Sequence, residues 1–156
     1  MDRERERDLL RKRLLGRGLR CEPAASGGVN LGRDLTFDAT GRDLAQVEGV
    51  DNLAQALAIA LTTPLGGDVF NVDFGFDGLN AMTVESSPIL VQERIRIAVI
   101  SVLQKDPRVG RIVDVRLDDG RLTSPGAGNR VLNVRVVFET VTGETATVDL
   151  GELIRG

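Results

Sequence analysis

The spacing of apolar side chains changes along the chain, and each spacing predicts a different element. Between Asp51 and Leu61 they recur every three or four residues, at Leu53, Leu57 and Leu61, which predicts an amphipathic helix with Asp51 as its N-cap. The helix must end before Pro64, because a proline ring clashes with the preceding helical turn. The stretch 51–79 therefore reads as a helix followed by a loop.

The loop after this helix is rich in both glycine and phenylalanine. Of the five phenylalanines in the chain, Phe70, Phe74 and Phe76 lie close together here. Because aromatic side chains bury large apolar areas, we expect this loop to pin the helix to the rest of the fold.

A second, longer helix is predicted between Pro88 and Lys105. Ser87 is a suitable N-cap, and Pro88 suits the first helical position. Its inward stripe consists of apolar side chains at helical spacing, namely Val91, Ile95, Ala98 or Val99, and Val102.

Beyond Pro107 the apolar spacing becomes two, which is the period of a strand. Strands are predicted at 112–117, 130–141 and 145–150, with a turn at Asp119-Gly120 and an exposed loop at 124–128. A shorter strand and a turn at Thr40-Gly41 are predicted within 31–47. The fold class is therefore α+β: a two-layer domain with two main helices packed on an antiparallel β-meander, whose outer strand offers an open edge.

The first twenty residues form a separate, charged segment. A helix is expected at 2–15, and residues 1–20 carry an excess of four positive charges, whereas the rest of the chain carries a net charge of −7. The sequence at 21–30 resembles a linker. We therefore divide the chain into a charged helical extension (1–20), a linker (21–30) and one α+β domain (31–156).

Several kinds of chemistry are excluded by composition. The chain has no histidine, and its one cysteine, Cys21, lacks a neighbouring base, so no cofactor, metal ligand set or catalytic triad is expected. The enzyme that remains conceivable is a peptidoglycan-cleaving hydrolase with a pair of carboxylates drawn from Asp68, Asp73, Asp77 and Glu93. No signal peptide or transmembrane segment is recognisable, which predicts a cytoplasmic protein without direct membrane insertion.

The turn at Asp106-Pro107-Arg108 joins the long helix to the sheet. A rigid proline between an acid and a guanidinium fixes the direction of both charged groups. The simpler interpretation is a helix stop with a surface ion pair worth at most about 1 kcal/mol.

Together these positions resemble the phage baseplate wedge family that initiates the tail sheath, some of whose members are described as lysozyme-like. The family includes baseplate subunits of type VI secretion systems and of extracellular contractile injection particles. The resemblance spans about Leu31 to Leu150 and rests on four motifs: Asn52-Leu53-x-Gln55-x-Leu57; Leu61-x-Thr63-Pro64-x-Gly66; Phe74-Gly75-x-x-Gly78-Leu79; and Asp106-Pro107-Arg108-Val109 before a valine-rich strand.

The resemblance implies a structural protein, not an enzyme. In the family a Glu-Pro-Arg turn contacts the helical core bundle of the wedge, so Asp106, Pro107 and Arg108 would bind wedge proteins, although the aspartate is one methylene shorter. The His-Pro that follows the Thr-Pro-x-Gly turn in some members is replaced by Phe70-Asn71-Val72.

The sheet of the family resembles the part of the sheath protein through which neighbouring subunits exchange strands. The sheath-facing edge would comprise Thr145, Thr147, Val148, Asp149 and Leu150. Inner-tube or hub proteins are further candidate partners. The family implies no nucleic-acid partner, whereas the basic N-terminus considered alone leaves a nucleic-acid adaptor as an alternative.

Overall fold

The secondary structure follows from two spacings of apolar side chains, helical in the middle of the chain and alternating at its end. The computed structural model describes residues 2–26, 29–78, 84, 87–118 and 131–155. In chain order the elements are α1 (Asp2–Leu15), β1 (Arg17–Leu19), β2 (Cys21–Ser26), β3 (Val29–Leu35), β4 (Gln46–Glu48), α2 (Gly49–Thr62), α3 (Pro88–Lys105), β5 (Val109–Asp118), β6 (Val131–Thr140) and β7 (Thr145–Arg155).

The largest sheet is an antiparallel meander with the strand order β5-β6-β7. Its centre is β6, in which Val134, Val136 and Phe138 are fully buried. Helix α2 packs against β7, α3 packs against β5, and the two helices contact each other. The α+β fold, with two main helices on a meander and an additional N-terminal helix, is therefore confirmed.

The core between these layers is almost entirely aliphatic. It joins the buried face of α2, the inward stripe of α3 and the inner face of the sheet in one cluster. The stripe of α3 follows the predicted spacing, with Ile95, Val99 and Val102 buried. Burying a side chain of this size stabilises the fold by about 1.5–3 kcal/mol, so this cluster is the main source of stability.

The N-termini of the two helices differ from expectation in their capping. Helix α2 begins at Gly49 with Glu48 as N-cap, so the prediction that Asp51 is the cap was wrong. Because the Gly49 N–H donates to the Gly16 carbonyl at 3.0 Å, the chain is fixed before it reaches Asp51. Asp51 lies in the first turn, where the helix dipole favours a negative charge. Ser87 is the N-cap of α3, but its side chain makes no capping hydrogen bond.

The phenylalanine-rich loop divides into a buried part and an exposed part. Phe76 is 3% exposed, and Phe74 packs partly against the core. Phe70 is 98% exposed, so the expectation that it also anchors the loop was wrong. The carboxylate of Asp68 accepts a hydrogen bond of 2.9 Å from the Phe70 N–H, forming a local turn that ends with the ring in solvent.

The segment 21–30, interpreted from its sequence as a linker, contains strand structure. Strand β2 pairs antiparallel with β3, with Cys21 opposite Leu35 and a register shift between Pro23 and Ala25. Because β2 pairs only with β3 in the described sheets, it is an edge strand and tolerates a proline that a central strand would not. The predicted strand and turn within 31–47 correspond to β3 and to a turn in which the Gly41 N–H donates to the Asp38 carbonyl.

The charged extension is anchored at its C-terminal end. Leu15 is fully buried and belongs to the same cluster as α2 and the sheet. Strand β1 pairs with β4, which leads directly into α2. The end of α1 and strand β1 therefore pack on the domain.

Some expectations lie outside the described residues, namely Leu79, the turn at 119–120 and the loop at 124–128. In the part of the chain that is described, no helix combines the length and apolar character needed to cross a bilayer.

Candidate partner-binding surfaces

The 106–108 turn is built by the end of α3. The helix stops at Lys105, the Asp106 N–H donates to the Leu103 carbonyl, and the Val109 N–H donates to the Asp106 carbonyl as β5 begins. Pro107 is exposed at the tip. On its other side the turn meets the β6–β7 connection, since the Val141 N–H donates to the Arg108 carbonyl at 3.0 Å.

Within this turn the side chains of Asp106 and Arg108 form an ion pair. Arg108 Nε donates to Asp106 Oδ1 at 2.9 Å and its Nη2 donates to Oδ2 at 2.6 Å, which is a bidentate ion pair. The Arg108 backbone N–H donates to the same carboxylate at 3.0 Å. Partial burial disfavours the charged carboxylate, but the hydrogen bonds and charge of Arg108 outweigh it, so the pKa of Asp106 lies below its ordinary value.

The third nitrogen of this guanidinium, Nη1, contacts the N-terminal segment. Arg108 Nη1 donates to the Leu15 carbonyl at 3.1 Å. The side chains of Arg108 and Asp106 are 26% and 17% exposed. The turn therefore offers a partner Pro107 and part of the ion pair, while two nitrogens of the guanidinium bind Asp106 and the third holds the C-terminal end of α1.

A groove of ≈ 430 Å³ lies beside this turn. Helix α2, the phenylalanine-rich loop and the turn all contribute to its walls, including Ala60, Phe74, Lys105, Pro107 and Arg108. It combines apolar walls with two cationic and two anionic side chains, and it places the predicted wedge-binding residues at the rim of a concave surface.

The predicted sheath-facing strand is the outer strand β7. Thr145, Thr147 and Asp149 are exposed, whereas Val148 and Leu150 are each 5% exposed and belong to the core. Of the predicted edge residues, Val148 and Leu150 therefore act as internal supports. What β7 can offer a partner is its main chain and its alternate, outward side chains.

Each outer strand of the sheet combines an irregular half with a regular half. In β5 the register with β6 shifts between Val109 and Arg111 and again between Ile112 and Asp114, so its first half is bulged. From Thr145 to Asp149 the register of β7 with β6 is continuous. The pairing of β7 with β6 shifts in the second half of β7, whereas that of β5 is continuous from Asp114 to Asp118. Bulges protect an edge against further strand pairing, so each outer strand keeps one regular stretch for an added strand, and on β7 this stretch is its first half.

Two polar residues of the predicted scaffold motif hold the N-terminal segment. Asn52 Nδ2 donates to the Leu15 carbonyl at 3.0 Å, and Gln55 Nε2 donates to the Leu19 carbonyl at 2.7 Å. The side-chain Oε1 of Gln55 accepts a 2.8 Å hydrogen bond from the Cys21 N–H. No contacts were predicted for these two amides from the sequence. Their spacing of three residues places both on one helix face, which indicates that they can bind the same neighbouring segment.

The other motif residues shape the core and the loop. Leu53 and Leu57 are buried, and the Phe76 N–H donates to the Thr63 carbonyl at 2.8 Å. Pro64 forms an isolated parallel bridge with Phe76, and Gly66 adopts a φ of 76° in the turn that follows. Gly75 has a φ of 113°, and a Cβ there would lie 2.6 Å from the Thr63 oxygen, so a side chain cannot be accommodated without rearrangement.

Among the carboxylates considered for hydrolysis, those of Asp68 and Glu93 make local structural contacts. Asp68 closes the turn at Phe70, and Glu93 forms an ion pair with Arg96 at 3.4 Å. The main-chain carbonyl of Asp73 accepts a hydrogen bond from Lys105 Nζ at 2.8 Å. Within the described ranges, no group of three or more acidic or cysteine side chains is arranged to hold a metal ion.

Comparison with known proteins leaves the resemblance as an inference from motifs. No family model matches the chain, and no curated protein sequence matches it significantly.

Proposed function

We propose that this protein is a structural baseplate component of a contractile tail-like injection machine, which joins the wedge to the first sheath ring and templates sheath assembly. The observation that carries the proposal is the first half of β7, an outer strand that pairs continuously with β6 from Thr145 to Asp149 and exposes Thr145, Thr147 and Asp149. An added strand would gain affinity from main-chain hydrogen bonds and register from alternate side chains.

The position of the 106–108 turn supports two separate partners. The turn precedes β5, and β5 and β7 lie on opposite sides of β6. A wedge protein seated on Pro107 and the adjoining groove would therefore approach from a different side than a strand added to β7. Such a protein would assemble into its particle in the cytoplasm, without a cofactor and without binding nucleic acid.

Proline substitution separates sheath pairing from folding. Successive N–H groups in a strand alternate between its two sides, so of Ala146→Pro and Thr147→Pro, one removes an N–H that bonds β6 and the other removes one that faces outward. The variant that keeps the wild-type melting temperature is the edge-blocking variant. We expect it to bind wedge proteins while failing to nucleate sheath, as scored by electron microscopy of particles from the native host.

The turn is tested with Pro107→Glu, which alters the exposed tip and leaves the Asp106–Arg108 ion pair in place. We expect loss of wedge proteins from the tagged, co-purified complex at unchanged melting temperature. Val141→Glu, an exposed substitution at the neighbouring β6–β7 connection, is the matched control. Normal particles from both the edge-blocking and the Pro107 variants would refute the proposal.

The hydrolase alternative is separated by a turbidity assay on purified cell walls. A structural protein causes no lysis at any concentration. Lysis that disappears in Asp73→Asn or Asp77→Asn would replace the baseplate proposal with the hydrolase.

A further inference from the structure

Helix α1 has two unlike faces, and its contacts show which one meets the domain. Leu15 is buried, Arg11 forms an ion pair with Glu144 at 3.3 Å, and Lys12 forms one with Glu48 at 3.1 Å. These three contacts hold the last turn of α1 on the domain.

One flank of α1 is both basic and apolar, and it borders the side directly opposite Leu15, which carries Glu6 and Arg13. Arg3, Arg7, Leu10 and Leu14 follow one another at spacings of four, three and four residues, which aligns them in one stripe roughly a third of a turn from Leu15. All four are exposed, and both leucines are more than half exposed. We call these four residues the head stripe.

A second surface has the opposite charge and the same apolar character. The loop 65–77 contains three aspartates and no basic residue, and it exposes Val69 at 79%, Phe70 at 98% and Val72 at 63%. Lys105 Nζ binds a main-chain carbonyl of this loop, and Arg94 lies in the same pocket as Asp77, so the excess of negative charge comes from Asp68 and Asp73. We call this segment the acidic loop.

The head stripe and the acidic loop are exposed in the same chain, so neither covers the other. They are complementary in charge and in their exposed apolar side chains, and every copy of the protein carries both. We propose that the head stripe of one copy docks on the acidic loop of a second copy, in a head-to-tail contact that links successive copies into a ring or chain.

This partner fits the observations better than a lipid surface. Glu4 and Asp8 lie on the helix face of Leu15 and halve the net charge of α1, and two leucines give a smaller apolar face than helices that lie in membrane interfaces. The contact is small compared with the roughly 800 Å² per partner of a stable interface, so the isolated protein should associate weakly and reversibly.

The experiment is sedimentation velocity of the full chain over a concentration series. We expect concentration-dependent association that weakens as salt is added, because exposed charges attract across the contact. A head variant, Arg3→Glu with Arg7→Glu, and a loop variant, Val69→Ser with Phe70→Ser, should each weaken the association at least about tenfold.

Mixing the two variants tests the head-to-tail geometry. The intact loop of the head variant can still bind the intact head of the loop variant, so the mixture should form a 1:1 dimer and stop there. Arg5→Glu, which makes the same kind of charge change on a different face of α1, and Phe37→Ser, at another exposed aromatic, should associate like the wild type.

Three results would overturn the inference: a wild-type chain that stays monomeric at millimolar concentration, a mixture that stays monomeric, or association that both variants leave unchanged. Binding of a monomeric wild type to vesicles rich in anionic lipid, lost in the head variant, would assign the stripe to a membrane instead. None of these results bears on wedge or sheath binding, so the proposed function can stand or fall independently.

Discussion

In the C-terminal sheet, β6 alone contributes three fully buried side chains, whereas the N-terminal segment, residues 2–26, is held largely by hydrogen bonds. Within the part of that segment whose burial is described, Leu15 is the side chain that reaches the core. Asn52, Gln55 and Arg108 supply the donors that tie its main chain to α2 and to the 106–108 turn.

The difference has a thermodynamic consequence. A buried aliphatic or aromatic side chain contributes about 1.5–3 kcal/mol, while an intramolecular hydrogen bond contributes about 0.5–1.5 kcal/mol net. The sheet and its two helices should therefore unfold together, and the N-terminal segment should open locally at a lower free energy.

The largest predicted effect breaks the stronger region. Phe138→Ala should lower the free energy of unfolding by about 3–5 kcal/mol, because it leaves a cavity at the centre of the sheet. Urea denaturation measures this loss. Phe70→Ala, which changes the same type of side chain in an exposed position, should stay within about 0.5 kcal/mol of the wild type. Equal losses of unfolding free energy in the two variants would contradict the placement of Phe138 in the core and of Phe70 in solvent.

A smaller loss is predicted for Arg108→Ala, at about 1–3 kcal/mol, since it removes a hydrogen bond to the N-terminal segment and leaves a half-buried carboxylate without its partner. In this variant, hydrogen exchange of residues 15–21 should become faster than in the wild type, while exchange in β6 should change little. Arg111→Ala, which removes a mostly exposed ion pair with Glu139, is the control and should leave both regions unchanged. Uniformly faster exchange across the sheet would show that the two regions are one cooperative unit.

The ion pair between Asp106 and Arg108 should also make the stability of the fold depend on pH. Because the folded-state pKa of Asp106 lies below its ordinary value of 3.8, ionisation stabilises the fold above that pH, and the contribution disappears as the pH falls through the lowered pKa. In Asp106→Asn, the free energy of unfolding should therefore fall less steeply as the pH drops below about 3.8. A residual slope is expected, since a hydrogen bond from Thr40 also lowers the pKa of Asp38. An unchanged pH dependence of the unfolding free energy in Asp106→Asn would contradict the assignment.

The smallest effect is predicted for the outward face of the sheet. Arg135 and Asp149 form a cross-strand ion pair with a shortest distance of 2.6 Å, but both side chains are about half exposed. Arg135→Ala should change the free energy of unfolding by about 0–1 kcal/mol in urea titrations at low salt. A loss as large as that of Arg108→Ala would mean that surface charge, and not burial, holds β7.

Apolar spacing was sufficient to predict α2, α3 and the meander, because burial on one face leaves a direct record in the local sequence. Strand β2 was missed, since its sequence, which contains proline, alanine and serine, has the composition of a linker and no alternation of apolar residues. The exposure of Phe70 was missed because it depends on a turn closed by Asp68.

The predicted surfaces were located only in part. The residues of the 106–108 turn and the outer strand could be named from the sequence. The direction of the guanidinium could not, because its main-chain partner, Leu15, lies 93 positions away. Likewise, which half of each outer strand is regular depends on the bulges of β5 and β7, and a bulge becomes visible only once both strands are paired.

The hydrogen bond between the Cys21 N–H and Gln55 places the chain's one thiol at the junction between the two regions. Cys21 is half buried there, and its Sγ lies 3.8 Å from the Leu19 carbonyl oxygen. The protein thus carries its own reporter group, because a thiol-directed dye should label Cys21 at a rate that follows the detachment of the N-terminal segment.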